Sequence, residues 1–136
     1  MRFPTKVAIV VQDDLATWQK LNVTAFLTSG VAHATADIMG QPYEDGSGNK
    51  YLSMLREPVM VYASDAAGLT RTHERALRRG LATGVYTEEL FATGNDDDNR
   101  AAVRAVPVEK LNLVGLAVYG PRADVDKVLK GLSLHT

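Results

Sequence analysis

Glu88, Glu89 and Thr93 form the grouping in this chain whose residue types and spacing best suit chemistry. They lie in Thr87-Glu88-Glu89-Leu90-Phe91-Ala92-Thr93-Gly94, just past a short apolar segment at Tyr86. A carboxylate with a hydroxyl close behind can position a water or accept a proton. The same residues can also serve only to cap a short turn, and spacing alone favours that plainer use. Ser29, His33 and Asp37 stand four apart and invite a serine-triad reading. Side chains at that spacing lean the same way along one helix, whereas a triad needs three groups converging beside an oxyanion site. No Gly-x-Ser-x-Gly elbow supports it either. The expectation is a His33–Asp37 pair that orients the imidazole, with His33 as a candidate acid/base next to Glu89 and Thr93.

The remaining polar clusters point away from metals and phosphates. His73 belongs to an apolar helical stripe and is expected as a core histidine with a satisfied hydrogen bond. His135, next to Thr136, is expected to be frayed and solvated. Three histidines without short ligand spacing do not make a zinc site. Asn95-Asp96-Asp97-Asp98-Asn99 lacks the alternating ligands, central glycine and distal glutamate of a calcium loop, and reads as an acidic helix start. Gly46-Ser47-Gly48-Asn49-Lys50 lacks the ending of a phosphate loop. No metal and no cofactor is expected. Arg71, Arg75, Arg78 and Arg79 are the one concentrated basic surface, expected as the solvated face of an amphipathic helix.

Four strand candidates must position these groups. Val7–Val11, Val59–Ala63 and Leu111–Tyr119 are near-continuous apolar runs, each stopped by polar or turn residues; Gly84–Thr87 is weaker. Runs of that kind suit a sheet covered on both faces. The first helix is expected from about Trp18 to Met39, closed by Gly40, with Val23, Phe26, Leu27, Val31 and Ile38 on one arc. A second should start after Ser64 as N-cap and stop at Gly80, a third run from Asn95 to before Pro107, and a last from Ala123 to Leu129. Residues 41–52 carry Asp45-Gly46 and Gly48-Asn49 between tyrosines and predict a small hairpin. The reading is a single domain, residues 1–136, of three-layer α/β/α architecture. In such sheets ligands gather at the carboxyl ends of strands, where Glu89 and Thr93 fall.

Composition narrows the classes. With 136 residues, 46% hydrophobic and 23% charged, the chain can bury an ordinary core. The absence of cysteine removes disulfides, thiolate metal sites and thiol catalysis. Fifteen Lys and Arg against sixteen Asp and Glu leave a net charge of -1, so a nucleic-acid partner is not expected. No run reaches the ~18 apolar residues of a membrane span and the start shows no signal-peptide core, so a cytoplasmic location without membrane contact is expected.

Glu88 to Asn95, Asn99-Arg100-Ala101-Ala102-Val103, Leu113-Val114-Gly115-Leu116-Ala117 with Gly120-Pro121-Arg122, and Asp126 to Leu132 are phrases of a familiar kind. Together they resemble an uncharacterised bacterial family, domain of unknown function two thousand. That family in turn resembles peptidyl-tRNA hydrolase type II, through Lys6-Val7-Ala8-Ile9-Val10-Val11 running into Asp13-Asp14-Leu15, Ala32-His33-Ala34 in a long helix, and the late Val114-Gly115-Leu116 strand. The resemblance implies a mixed four-stranded sheet, a homodimer and ester cleavage on peptidyl-tRNA. It also implies that Glu89 stands at the hydrolase's acidic position and Thr93 at its threonine. The hydrolase's cations fall at Thr24, Phe26 and Ala92 here. Without them an oxyanion and a tRNA backbone both lack a partner.

Two functional classes follow. One is a binding or interaction module that keeps the scaffold without peptidyl-tRNA hydrolase activity, and the reading leans this way. The other is a hydrolase-like enzyme on a small molecule or nucleotide, using Glu89, Thr93 and His33. A small molecule is a candidate partner; a pocket where Glu89, Thr93 and His33 converge favours the enzyme, and a shallow strand-end surface with Glu89 solvated favours the module.

Overall fold

The structure is a computed structural model and describes residues 2–136. β1 (Thr5–Gln12) lies at the centre of a mixed sheet in the order β5-β6-β1-β4-β7. It pairs parallel with β4 (Val59–Ser64) and antiparallel with β6 (Leu113–Pro121), which pairs antiparallel with β5 (Ala82–Thr87). Successive β1 side chains enter opposite layers, which is why the run is apolar without alternation. Val7, Ile9 and Val11 pack with Val23, Leu27 and Val31 of α1 (Thr17–Ala34). Ala8 and Val10 pack with Leu69 and Ala76 of α2 (Ala66–Arg78) and with Val125 and Val128 of α4 (Arg122–Val128). Three layers result.

The sheet has five strands rather than the expected four. β7 (Ser133–Leu134) adds antiparallel to β4, and the His135 amide continues the ladder to the Val61 carbonyl at 2.9 Å. Two residues carry too little pattern to be read as a strand. The C-terminus is therefore docked rather than frayed, and the His135 ring also meets Lys20 Nζ at 3.0 Å.

α1 ends five residues before the expected Met39. Thr35 leaves helical geometry, and Asp37 adopts φ 63, a left-handed conformation that short polar side chains tolerate. Ile38 still reaches the core, from the chain beyond the helix. α2 is capped by Asp65, whose carboxylate accepts from the Gly68 amide at 2.8 Å; Ser64 bonds a carbonyl instead of capping. Its far end closes as expected, with Gly80 at φ 65. In α3 (Asp96–Arg104), Asn95 is the cap, accepting from the Asp98 amide at 2.9 Å.

Between α1 and β4 the chain forms an arm. β2 (Tyr43–Glu44) and β3 (Lys50–Tyr51) pair as the predicted hairpin, and the Met39–Leu55 bridge extends the ribbon toward the body. Asp45 organises the tip, accepting from the Ser47 and Asn49 amides, the Asn49 side chain and the Tyr51 hydroxyl at 2.7–3.0 Å. Those donors hold its carboxyl far below the usual range, the Tyr51 bond contributing most.

Candidate functional site

Both α1 and a 3-10 turn, Glu88–Phe91, meet at the carboxyl end of β5. A β-bulge displaces the ladder between Tyr86 and Thr87, ending the strand and turning the chain into that turn. Tyr86 is buried below it, with Phe91 at 5.1 Å and Phe26 edge-on at 6.0 Å between ring centroids. Trp18, the single tryptophan, stands edge-on to Phe91 at 5.9 Å yet is 62% exposed. Such edge-on geometry sets ring edges against ring faces and fixes the walls. Asn22 Nδ2 reaches the Tyr86 hydroxyl at 3.5 Å; burial raises the pKa of that phenol, and the Asn22 bond partly opposes the rise.

These rings bound a cleft of about 430 Å³ whose polar edge is Asn22, Thr93, Asn95, Asp96 and Asn99. A second hollow of about 580 Å³ shares Phe26, Tyr86, Leu90, Asp96 and Asn99 with it and continues between β5 and α3. Both volumes lie in the range of small-molecule sites, and the combination of apolar walls with a few polar groups is typical of them.

Thr93 lies on this cleft. Its hydroxyl donates to the Leu90 carbonyl at 3.0 Å and touches the Asn99 side-chain oxygen. One hydroxyl has one proton, so both contacts are satisfied only with the Asn99 amide turned to donate its NH₂. In that arrangement the Thr93 oxygen is an anchored wall group rather than a nucleophile with a base. Glu89 is exposed on the outside of the turn and is not part of the cleft wall. Thr87, just before the turn, has a buried hydroxyl that finds no partner among the described residues and does not cap the turn.

His33 is elsewhere. It is exposed, fifteen residues beyond Trp18 on α1, which at the α-helical rise is about 22 Å along the axis. The structure brings Thr93 to the cleft and leaves Glu89 and His33 outside it. Nor does a His33–Asp37 pair form, because α1 has ended before Asp37. Ser29 donates to the Phe26 carbonyl at 2.5 Å. His73 is buried as expected, at 5% exposure, but no hydrogen bond to its ring is present among the described residues. Burial lowers its pKa, and Glu74 pulls weakly the other way.

Trp18, Asn22, Phe26, Tyr86 and Phe91 line the cleft without having been candidate site residues in the sequence. The signal was an exposed helical side, Trp18, Asn22 and Phe26 at spacings of four, beside the aromatic pair Tyr86 and Phe91. No group of three or more metal-binding side chains is found among the described residues.

Residues 5–136 match the model of a family described as Protein of unknown function (DUF2000). The chain belongs to this family. A DUF2000 assignment carries no activity with it. The chain is also similar to the solved structure of a protein of unknown function from Agrobacterium tumefaciens, at 45% identity and a TM-score of 0.96. That match covers 99% of this chain and 100% of the other. Among curated proteins, none matches this DUF2000 chain. No helix of the described residues is long and apolar enough to cross a membrane.

Proposed function

We propose that this DUF2000 protein is a non-catalytic binding module, taking a small planar molecule into the aromatic cleft at the end of β5. The observation that carries this reading is the separation of the three candidate catalytic residues. A hydrolytic site needs its nucleophile or water, its base and its charge stabiliser within reach of one reacting atom. Here Thr93 is anchored, Glu89 faces solvent and His33 is at the far end of α1. What does converge is a set of ring faces and amides, the equipment for stacking and orienting a ligand.

The mixed sheet, with β1 parallel to β4 and antiparallel to β6, supports descent from a peptidyl-tRNA hydrolase type II-like scaffold, with the hydrolase activity lost. A cytoplasmic location belongs to the same reading. So does a homodimer, supported by the arm. Met39, Tyr43, Tyr51, Leu52 and Met54 are exposed there, with Leu52 at 88%. Two-stranded ribbons are marginal alone, and apolar residues on one call for a covering surface.

The test is ligand mapping joined to an esterase assay. Adenine, indole and nicotinamide are titrated while Trp18 fluorescence and amide shifts are recorded. A saturable response confined to Trp18, Tyr86, Phe91 and Asn99 is expected. No turnover of p-nitrophenyl acetate beyond that of Glu89→Gln is expected. Saturable turnover that disappears in Glu89→Gln overturns the binding reading and restores the enzyme.

A further inference from the structure

We propose that the groove between α2 and α4 binds a small oligophosphate, a molecule carrying two or three linked phosphates. The sequence alone places Arg75, Arg78 and Arg79 on a solvated helix face. The fold sets α4 beside that face and adds Lys127 and Lys130, so that these five cations line a hollow of about 530 Å³. The helices run antiparallel, as two contacts establish: Arg79 Nη1 meets Asp124 at 3.3 Å near the start of α4, and Arg75 Nη1 donates to the Lys130 carbonyl at 2.9 Å beyond its end.

Helix-end electrostatics account for part of this, since arginines favour the last turn of α2. The same effect favours Lys127 in the last turn of α4, but it does not bring the basic sides of two helices together across one groove. Cations gathered this way repel one another unless an anion joins them. The Arg79–Asp124 pair is the one ion pair that any of the five makes among the described residues. Asp126, nearby on α4, is occupied by Lys6 at 2.7 Å. Arg75, tethered to the Lys130 carbonyl, is held in place as one planar guanidinium donor.

Charge selects the ligand class. The five cations and Asp124 together carry +4, so the rest of a chain of net -1 carries -5. A single carboxylate leaves most of the groove's charge unmatched. A long polyanion must cross the acidic remainder. Two or three linked phosphates match both the charge and the hollow, and guanidinium groups meet phosphate oxygens in bidentate fashion.

The experiment is calorimetric titration of the full chain at low salt. Its ligands are orthophosphate, pyrophosphate, tripolyphosphate, ATP and a 20-nucleotide RNA, tested against wild type and the Arg78→Ala/Lys127→Ala double variant. Among the described residues neither of those side chains makes an ion pair, so folding, checked by circular dichroism, is expected to persist. Pyrophosphate and tripolyphosphate are expected to bind at least tenfold tighter than orthophosphate, with at least tenfold loss in the double variant. ATP matching tripolyphosphate identifies the phosphates alone as the recognised part; ATP exceeding it tenfold identifies a nucleotide, and both outcomes keep the site. Absence of saturable binding, an undiminished affinity in the double variant, or RNA as the tightest ligand overturns the proposal. Amide shifts at the Thr93 cleft instead of residues 75–79 and 127–130 overturn it too.

Discussion

Gly115→Ala is expected to push apart the two layers that form the aromatic cleft. Gly115 sits on β6 facing α1, where a Cβ would fall 3.0 Å from Leu27 Cδ1 and closer still to Val23 Cγ1. Leu27 has rotamer freedom to yield. Val23 does not: it is fully buried and β-branched, with one strongly preferred χ1 in a helix. α1 must therefore shift outward. Overpacking of this kind costs about 1–3 kcal/mol, and the stiffer unfolded chain of alanine returns about 0.4–1 kcal/mol. The net loss is about 1–2 kcal/mol, or roughly 3–8 °C in Tm for a domain of this size. Gly30→Ala on the same helix is the control, because nothing lies within 4 Å of its Cβ position. It should stabilise by about 0.5–1 kcal/mol through helix propensity. Urea unfolding followed by Trp18 fluorescence and circular dichroism measures both. If Gly115→Ala unfolds with wild-type free energy, Val23 does not set the α1–β6 spacing and the account of the cleft's back wall is wrong.

The buried ammonium of Lys6 gives a second test. It donates to Asp126 Oδ1 at 2.7 Å and the Tyr62 hydroxyl at 2.6 Å. Burial pulls its pKa down, but the bonds to Asp126 and Tyr62 outweigh that and leave it raised. Asp126→Ala strands this cation and should cost about 1–2 kcal/mol, discounted because Asp126 is 42% exposed. Lys6→Met keeps the buried stem and should cost under about 1 kcal/mol; the reverse order in urea titrations contradicts the pairing. For His73 the folded pKa lies below the unfolded one, so its stabilising contribution is complete above about pH 6.5. That contribution is lost as pH falls through the folded value. Thermal melts should decline from pH 7.5 to 5, less steeply in His73→Gln, and equal slopes argue against a buried neutral ring. At the arm, light scattering should give twice the chain mass for wild type and the single mass for Leu52→Glu; a monomeric wild type removes the arm as a dimer contact.

The layered core was legible because its cause is local. β1 and β6 are apolar on both faces, and that pattern survives any arrangement of their neighbours. The end of α1 was not legible, because the apolar period runs on to Ile38 while the backbone leaves helical geometry at Thr35 and turns left-handed at Asp37, which leaves no mark in hydrophobicity. β7 was missed for a different reason. Its two residues owe their strand to β4, a partner seventy residues away in sequence. Thr93 lines the cleft because it sits on the same short segment as the end of β5. The aromatic walls come from α1, from Tyr86 on β5 and from the turn after it, joined only by the packing of helix on sheet. The basic groove has the same origin: one half was visible on α2, and the other half needed α4 laid beside it.

These placements also separate recognition from catalysis. The oxyanion of ester cleavage needs fixed positive charge where it develops. Arg100 and Arg104 line the adjoining hollow; the Arg100 guanidinium is bound to Asp96 and Asp97 on its own helix, while Arg104 makes no ion pair among the described residues. Those carboxylates raise the Arg100 pKa and neutralise its field toward the cleft. Five cations gather in the α2–α4 groove, on the opposite face of the sheet from α1. A reacting carbonyl in the aromatic cleft would thus meet rings, amides and the Asp96 carboxylate, with the guanidiniums of Arg100 and Arg104 on the adjoining hollow. Releasing Arg100 by Asp96→Asn and Asp97→Asn should therefore strengthen binding of an anionic aromatic such as indole-3-carboxylate severalfold over neutral indole. Equal affinities for the two probes in that variant would show that Arg100 does not face the cleft, and the electrostatic case against catalysis there would lose its basis.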